Sequence, residues 1–464
     1  MDAPFLITGD GVKTAVPPAY GLRQHVLSPL ETLAQSVSTI APSTSAALTI
    51  PLVFTLAGEG TCVAYVIAMS AMVLVAMCIA VFARDSASPG SLFVYTKTTL
   101  PPIFSSVTAW ALLFAYVLTA SSVIGGFINF SYIFLGSSGR YVPPAVLAFL
   151  AAGGAVWIAY RDIKISARMM LYVEAVSVCL IAFVIGITLW KHGIRIDTRQ
   201  IKLHGVSWSG VSLGGMLAIF SFVGFESATT LGTEARDPLR AIPRALIQSA
   251  LLAGTFFIVC AYGEVLGFQG APIRLGQSTA PLRYLSAQEG IGVVGPVIDA
   301  GVLVSMFAAT LGCVIAAGRL LMLMAHHGLA HRLFTKTHSR NETPGMASLL
   351  VGLLAVVPVV IIAEHGASGA DIYGWMGTLA VFGFLTAYAL ATVGMVQHLR
   401  RKGRLGVRWI ALATGAILAI VAAMLGTLFP VPPAPYRYFP YIYVIYLFGG
   451  VGWHAATRFR EGRG

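Results

Sequence analysis

A glycine and a carboxylate lie inside the apolar run IFSFVGFESA, residues 219–228. A charge at the centre of a membrane helix costs about 2.5–3.5 kcal/mol on insertion scales, so such residues usually face a cavity or a partner. Glycine also weakens a helix. The stretch therefore predicts a helix that is interrupted near Gly224, with Glu226 beside the interruption. The alternative is a protonated Glu226 that hydrogen-bonds between continuous helices.

The composition of the whole chain indicates that this run lies in a membrane. Of the 464 residues, 57% are hydrophobic and 10% are charged, and the mean hydropathy is +0.81. Soluble proteins carry about 25% charged residues, and disordered chains have low hydrophobicity, so both classes are excluded. Barrel strands would alternate apolar and polar residues, whereas this chain has continuous apolar runs. We therefore predict an all-α integral membrane protein.

About twelve transmembrane helices are predicted, each long enough to cross about 30 Å of hydrocarbon at about 1.5 Å per residue. They lie at about 28–56, 60–83, 103–134, 142–160, 165–190, 211–231, 243–267, 293–325, 345–363, 371–397, 408–428 and 440–457.

The positive charges predict the orientation of these helices. Alternate connections carry most of the 30 lysine and arginine residues, and positive residues favour the cytoplasmic side. The net charge of +12 is therefore assigned to orientation in the cell membrane rather than to a nucleic-acid partner. The prediction is a cytoplasmic tail at 1–25, one transmembrane domain at 26–455 and a second cytoplasmic tail at 456–464.

A second interruption is predicted in the first helix, within SVSTIAPSTSA, residues 36–46. Pro42 removes a backbone donor and clashes with the preceding turn, although a simple proline kink is the alternative. If helices 1–5 and 6–10 form two repeats, the interruptions correspond, which is the best sequence pointer to a transporter's binding site. Free N–H groups suit an anion and free carbonyls suit a cation, so the pair fits a zwitterion.

Three stretches resemble the amino acid–polyamine–organocation superfamily of amino acid permeases. They are residues 220–245, SPGSLFVY at 88–95, and AGR at 317–319 with Met324 and the His327-Gly328-Leu329 end of helix eight. The resemblance covers essentially the whole chain. It implies a leucine-transporter-like fold with a 5+5 inverted repeat (helices 1–5 about 28–190, helices 6–10 about 211–397), discontinuous helices 1 and 6, and two C-terminal helices at about 408–457. It also implies a transporter rather than an enzyme.

The sequence departs from the usual pattern of that superfamily at three places. Pro42-Ser43-Thr44 replaces the frequent Gly-Ser-Gly-like break, and His326-His327-Gly328 replaces the usual Arg-Asp/Glu-Gly. Some proton-coupled relatives have a lysine late in helix five, where this chain has Ser177, with Glu174 one turn earlier.

The resemblance implies a binding site for an amino acid or related amine at the two interruptions. Backbone N–H groups near Ser43, Thr44 and Ser45 would hold the substrate carboxylate. The carbonyls of Ile40, Phe220 and Val223 would hold its ammonium group. Phe220 would also close over the substrate as an aromatic gate. The predicted site comprises Ile40, Ala41, Pro42, Ser43, Thr44, Ser45, Phe220, Ser221, Phe222, Val223, Gly224 and Phe225.

Aromatic residues of other helices are weaker candidates for the side-chain pocket. Tyr116, Phe307 and Trp375 lie in helices that could reach it. A lone aromatic residue in a membrane helix is more often packing than pocket.

The predicted mechanism is secondary active transport by alternating access, driven by protons and without a cofactor. Glu226 is the first coupling candidate, because a carboxyl group beside a helix break can exchange a proton between access states. Glu174 is the second, because it is close in sequence to the position where some relatives place a titrating lysine. Sodium is the alternative ion, with Ser305 and Thr310 as hydroxyl ligands. An exchanger of the same fold also stays open.

Two other functional classes are less favoured. A channel would need a continuous lined pore. A metal site at His327 and His331 would have helical ligand spacing but lacks a third ligand in the sequence.

Overall fold

The computed structural model describes residues 5–7, 13–15, 20, 22, 24–86, 90–161, 163–193, 197–203, 205–338, 341–429, 431–432 and 434–461. Parts of both predicted tails, including residues 462–464, lie outside the described residues. The described residues are mostly helical. Two short strands, β1 (Phe5–Ile7) and β2 (Lys13–Ala15), pair antiparallel.

Long helices follow one another along the chain. The helices of the first half are α1 (Pro29–Ile40), α2 (Pro42–Thr44), α3 (Ile50–Ala57), α4 (Thr61–Ala83), α5 (Ser91–Thr99), α6 (Pro102–Leu135), α7 (Pro144–Arg161), α8 (Ile163–Lys191) and α9 (Thr198–Lys202). The helices of the second half are α10 (Trp208–Phe220), α11 (Pro238–Gly267), α12 (Pro281–Gln288), α13 (Val294–His326), α14 (Gly345–Glu364), α15 (Gly369–Arg401), α16 (Val407–Gly426) and α17 (Phe439–Glu461).

The observed helix ends lie close to the predicted ones, with one clear exception. The seventh helix was predicted to begin at 243, whereas α11 begins at Pro238. Proline fits the first turn of a helix because its missing N–H has no intrahelical partner there. Two prolines in this region can each mark a helix start, and the earlier one does so.

Ten segments of the described residues are long and apolar enough to cross a membrane. One of them, Pro29–Ala83, has 55 residues. At about 1.5 Å per residue, this is far more than one crossing of about 30 Å needs. The protein is therefore a multi-pass membrane protein.

The first membrane segment is interrupted where the sequence predicts it. Helix α1 begins with a capping box, in which the Ser28 backbone N–H donates to Glu31 Oε2 at 2.8 Å and the Glu31 N–H donates to Ser28 Oγ at 3.3 Å. It ends at Ala41, whose φ of 49° is left-handed. Pro42 follows, and a π-helical stretch at Ser45–Thr49 leads into α3. The helix axis is broken because Pro42 cannot donate to the preceding turn.

The sixth predicted helix is interrupted as well. Helix α10 ends at Phe220, a turn follows, and residues Phe225–Leu231 are 3₁₀-helical. Gly224 has a φ of 100°, and a Cβ atom there would lie 2.5 Å from Thr39 Cγ2. Both the backbone angle and the close approach of α1 require glycine at this position.

The two interruptions pack directly against each other. The Ser36 hydroxyl donates to the carbonyl of Phe225 at 2.6 Å and accepts from the Ala228 N–H at 3.2 Å. The Ser227 hydroxyl donates to the carbonyl of Gln35 at 3.2 Å. Side-chain hydroxyls thus bond to backbone groups that the broken helices leave free, as buried backbone requires.

Helices α6 and α15 approach each other closely beside the interruptions. A Cβ atom at Gly383 of α15 would lie 2.4 Å from the Ala111 carbonyl oxygen of α6. Small residues allow such approach between membrane helices. This contact brings side chains of both helices to the same part of the site.

Candidate functional site

The predicted site residues of both interruptions are buried together in the centre of the bundle. All of them are buried, and Phe220 is 5% exposed. The residues are Ile40, Ala41, Pro42, Ser43, Thr44, Ser45, Phe220, Ser221, Phe222, Val223, Gly224, Phe225 and the neighbouring Glu226. In this structure, the protein therefore closes this region off from solvent.

Glu174 binds the interruption of the first helix. Its Oε1 atom accepts the Ser43 backbone N–H at 2.9 Å and the Ser43 hydroxyl at 3.0 Å. Its Oε2 atom accepts the hydroxyl of Ser305 on α13. The residue is 1% exposed. In this conformation, Glu174 accepts one of the N–H groups that the sequence analysis placed on a substrate carboxylate.

The hydroxyl groups considered for a sodium ion have other partners here. Ser305 donates to Glu174, and the Thr310 hydroxyl donates to the Met306 carbonyl of its own helix at 2.9 Å. Ser177 lies beside Gly301 of α13, where an added Cβ atom would be 2.6 Å from the Ser177 hydroxyl oxygen.

Glu226 binds two tyrosines from different helices. Tyr116 of α6 donates to Oε1 at 2.6 Å, and Tyr388 of α15 donates to Oε2 at 2.5 Å. The Gly224 N–H donates to Oε2 at 3.2 Å. Glu226 is 0% exposed. Each carboxylate oxygen thus accepts one tyrosine hydroxyl. The two hydrogen bonds link the sixth-helix interruption to α6 and α15.

The sequence did not predict the contact of Tyr388 with Glu226. Tyr116 was considered for the substrate side-chain pocket, whereas its hydroxyl donates to Glu226. A buried tyrosine hydroxyl needs a hydrogen-bond partner, so tyrosines in apolar helices were possible partners for Glu226. The sequence does not reveal which of them face the interruption, because this depends on the close packing of α15 on α6.

Phe220 covers the interruption from the side of α15. Its ring meets that of Tyr373 edge-on at 5.6 Å, and a Cβ atom at Gly377 would lie 2.6 Å from Phe220 Cε1. The Tyr373 hydroxyl lies 2.7 Å from Thr49 Oγ1, in the first membrane segment. Phe220 and Tyr373 therefore bridge both interruptions, and Tyr373 was also missed in the sequence analysis.

The other aromatic candidates pack in different places. Phe222 contacts Phe257 of α11 edge-on at 5.2 Å, and Phe225 contacts Tyr388 at 5.3 Å. Phe307 packs against α7 at Gly154, where an added Cβ atom would lie 2.9 Å from Phe307 Cε2. Trp375 is half-buried at the edge of the core.

A buried ion pair holds one end of the bundle closed. Arg319 of α13 donates to both carboxylate oxygens of Glu234, through Nε at 2.9 Å and Nη2 at 2.6 Å. The backbone of Leu27 bridges that of Ala235 in parallel, next to Glu234. The bidentate pair therefore joins α13 to the segment after the sixth-helix interruption. The backbone bridge joins the start of α1 to the same segment.

The two histidines with helical spacing have separate partners. His327 Nδ1 lies 2.6 Å from Lys97 Nζ, and His331 Nδ1 accepts the Leu333 N–H at 3.2 Å. Burial, followed by the positive charges of Lys97 and His326, lowers the pKa of His327 from 6.5 to about 4. Across the residues that the structure describes, no group of three or more His, Cys, Asp or Glu side chains could hold a metal ion.

Comparison with known proteins places the chain in a family. The model of the family described as amino acid permease matches residues 27–451. The branched-chain amino acid permease BcaP of Lactococcus lactis is 27% identical over 399 residues, covering 82% of this chain and 83% of that protein. BcaP of Bacillus subtilis is 24% identical, covering 75% of each chain. The methylthioribose transporter of Bacillus subtilis is 23% identical, also covering 75% of each.

The apolar spans and these relatives together indicate a multi-pass membrane protein of the transporter class. More narrowly, the chain belongs to the amino acid permease family. The resemblance drawn from residues 220–245 and the two supporting stretches is thereby confirmed.

Proposed function

We propose that this protein is a secondary active transporter that moves an amino acid across the cell membrane by alternating access. The observation that carries the proposal is the pair of helix interruptions, buried against each other between membrane helices. Unwound backbone in the membrane is tolerated where it lines a cavity or is buried in protein. Two such breaks supply the N–H and carbonyl groups that a zwitterion needs.

The proposed topology has twelve membrane passages in a single domain, residues 26–455. Its support is the 55-residue apolar segment at Pro29–Ala83, which is long enough for two passages, and the additional helix α17. The two interruptions occupy corresponding places in a 5+5 inverted repeat, followed by two C-terminal helices. The distribution of lysine and arginine puts both termini in the cytoplasm.

The substrate carboxylate is proposed to bind the N–H groups near Ser43, with the ammonium at the carbonyls of Ile40, Phe220 and Val223. Since the Ser43 N–H donates to Glu174 in the closed protein, substrate has to share or displace that bond. Phe220 closes over the bound molecule. Ala41, Pro42, Thr44, Ser45, Ser221, Phe222, Gly224 and Phe225 complete the proposed site.

A neutral amino acid with an apolar side chain is the substrate that the contacts favour. Both carboxylates at the interruptions already accept hydroxyl donors on each oxygen, which leaves less capacity for a cationic side chain. The walls include Ile40, Phe220 and Phe222. Two relatives are named as branched-chain amino acid permeases, which agrees with this choice.

A related amine is the second candidate, and exchange is the alternative to net uptake. The relative named as a methylthioribose transporter indicates that substrates in these relatives extend beyond amino acids. A channel is less favoured because two unlike broken helices suit alternating access better than a continuous pore.

Protons are the proposed driving ion, with Glu226 as the group that exchanges them. An ionised Glu226 accepts Tyr116 on one oxygen and Tyr388 on the other, as the distances of 2.6 and 2.5 Å describe. A protonated carboxyl group has to use one oxygen as a donor, so one tyrosine bond must weaken. Proton binding would thereby loosen the link between the interruption and one neighbouring helix.

Glu174 is the second candidate for proton exchange, and sodium is the alternative ion. Glu174 binds the first interruption as Glu226 binds the second. A sodium site at Ser305 and Thr310 would have to replace hydrogen bonds that both hydroxyls make in the closed protein.

The test of this function is uptake by purified protein in liposomes. A panel of radiolabelled amino acids and polyamines is offered with a pH gradient and with a sodium gradient, each imposed separately. We expect saturable uptake of leucine or a similar amino acid, accelerated by the same substrate on the far side. A panel that gives neither uptake nor binding would contradict the proposal, and uptake without saturation would indicate a channel.

A further inference from the structure

A third buried carboxyl group lies away from both interruptions. Glu264 is in the last turn of α11, three residues before its end at Gly267, and is 0% exposed. Neither of its oxygen atoms has a hydrogen-bond partner among the described residues. Buried polar groups in proteins are nearly always hydrogen-bonded, so this group needs an explanation.

Among the described residues, Glu264 forms no ion pair with a cation. Its ionisable neighbours include Tyr65 of α4 and Cys260, one turn earlier on α11. The adjacent Gly263 faces Ile185 of α8, and Gly267 faces Leu285 of α12. On either side of Glu264 along α11, the helix thus packs against apolar side chains of α8 and α12.

Tyr65 links Glu264 to the interruption of the sixth helix. It is 0% exposed, and its hydroxyl lies 3.0 Å from the hydroxyl of Ser221, where α10 ends. A change of charge at Glu264 would therefore act on a tyrosine that contacts the interrupted segment. The glutamate has a short physical connection to the moving part of the proposed transport site.

An ionised Glu264 is incompatible with the closed arrangement. Burial of a carboxylate without a partner is so unfavourable that such a group takes up a proton instead. Glu226 and Glu174 differ, because hydrogen-bond donors on both oxygens stabilise the charged form. Of these three glutamates, Glu264 is the one whose contacts require the neutral form.

We infer that Glu264 is a proton-binding site that is occupied when the transporter is closed and exchanges its proton with extracellular water when it opens. The inference rests on the proposed function for its orientation, since the end of α11 faces outward in the proposed topology. The proton leaves the Glu264 oxygen for water on opening and must return before α4 and α11 close again. A deprotonated Glu264 would oppose the closing of α4 and α11, so a high external pH would slow the transport cycle.

Infrared spectroscopy tests the proton directly and needs no transport. The purified protein at neutral pH is expected to show the carbonyl band of a protonated carboxyl group, and Glu264→Gln should lose intensity there. Glu264→Met, another unbranched neutral side chain, is made alongside in case the amide variant does not fold. An unchanged band in a folded variant would overturn the inference. This result is independent of whether any substrate is transported.

Exchange of leucine across proteoliposomes tests the consequence. Internal pH is fixed, and external pH is raised from about 5.5 to about 8. Wild-type exchange is expected to fall by at least about fivefold, since one pH unit changes the proton occupancy of an emptying site by up to about tenfold. Glu264→Gln should fall at least about twofold less than the wild type does, because its side chain cannot ionise, and the response that remains belongs to Glu226.

The control for the exchange experiment is Glu364→Gln, at the exposed end of α14. This variant should keep the wild-type response to external pH. If Glu264→Gln keeps the same response as well, Glu264 does not exchange the proton. If wild-type protein exchanges no substrate at all, the proposed function fails and the infrared result alone decides the case of Glu264.

Discussion

Glu174 and Glu226 are both buried beside a helix interruption, but different kinds of donor hold them. Glu174, on α8, accepts the backbone N–H and hydroxyl of Ser43, which belongs to the interruption itself, and its third donor is the Ser305 hydroxyl of α13. Glu226 accepts hydroxyls from Tyr116 and Tyr388, which belong to two neighbouring helices, and only its third donor, the Gly224 N–H, is local.

The difference assigns the two glutamates to different tasks. Loss of the Glu174 bonds would mainly free the first interruption, because two of its three bonds are to Ser43 and one is to Ser305 of α13. Loss of one Glu226 bond would release α6 or α15 from the sixth-helix interruption. A proton at Glu226 is therefore better placed to drive a rearrangement between helices, whereas Glu174 is better placed to hold the binding backbone in position.

Glu226→Gln is expected to have the largest effect, a loss of at least about tenfold in pH-gradient-driven accumulation of leucine. Glutamine cannot take up or release a proton, and it keeps both tyrosine bonds only if one of them reverses and both lose the charge of the carboxylate. A hydrogen bond to a charged group is worth about 1.5–3 kcal/mol, which corresponds to about tenfold or more. Accumulation in proteoliposomes with an imposed pH gradient measures this.

Glu364→Gln is the matched control for this variant, because it makes the same chemical change at an exposed position. It should accumulate leucine as the wild type does. Full gradient-driven accumulation by Glu226→Gln, or accumulation driven by sodium alone, would remove the proton role from Glu226.

Phe220→Ala is expected to weaken substrate affinity several-fold and to leave the choice of driving ion unchanged. The aromatic ring excludes water from the closed site, and such contacts are worth roughly 0.5–1.5 kcal/mol beyond their buried area. The concentration of leucine that half-saturates uptake measures the change. A change in affinity alone would separate the closing of Phe220 over the substrate from the proton exchange assigned to Glu226.

Phe130→Ala is the control for lost packing, since Phe130 is 0% exposed and lies 14 residues beyond Tyr116 on α6. It should reduce thermal stability without changing affinity. Equal affinity in wild type and a well-folded Phe220→Ala would assign Phe220 to packing alone.

The sequence predicted the interruptions well because their causes are local. Pro42 breaks the helix through its own covalent structure, and the observed end at Ala41 is the residue before it. Gly224 is needed for a φ of 100°. Continuous apolar runs likewise predicted most helix ends within a few residues.

The partners of the buried glutamates could not be predicted in the same way. Tyr388 lies 162 residues from Glu226, and Ser43 lies 131 residues from Glu174. Their contacts depend on how far each helix is rotated about its axis, and an apolar membrane helix gives little amphipathic signal for that rotation. Glu264 was not considered for the same reason, although a glutamate in an apolar helix was visible in the sequence.

Glu174→Gln is expected to have a small effect, with affinity within about threefold of the wild type and gradient-driven accumulation retained. The amide oxygen can still accept from Ser43, and the amide group can donate to Ser305, so the network survives with one bond reversed. The same uptake measurements apply. Loss of accumulation in this variant, with Glu226→Gln unaffected, would exchange the tasks of the two glutamates.

The smallest effect is expected at His327, whose ring nitrogen accepts from Lys97 close to solvent. This effect is on the stability of the fold. Lys97 Nζ lies 2.6 Å from His327 Nδ1, a contact that requires the neutral ring. Burial and the charges of Lys97 and His326 lower the pKa of His327 from 6.5 to about 4. Because the folded protein favours the neutral form, the contribution to stability is present above about pH 6.5 and is lost as the pH falls towards 4.

His327→Gln should therefore make the thermal unfolding temperature less sensitive to acid over this pH range. The difference is expected to be less than about 1 kcal/mol, because the pair is partly solvated and screened by salt. His365→Gln, at the exposed end of α14, is the control and should follow the wild-type curve. If the His327 variant loses stability on acidification as steeply as the wild type, the contact with Lys97 does not depend on the neutral ring. That result would leave the comparison of Glu174 with Glu226 unchanged, because both carboxyl groups are buried and do not contact His327.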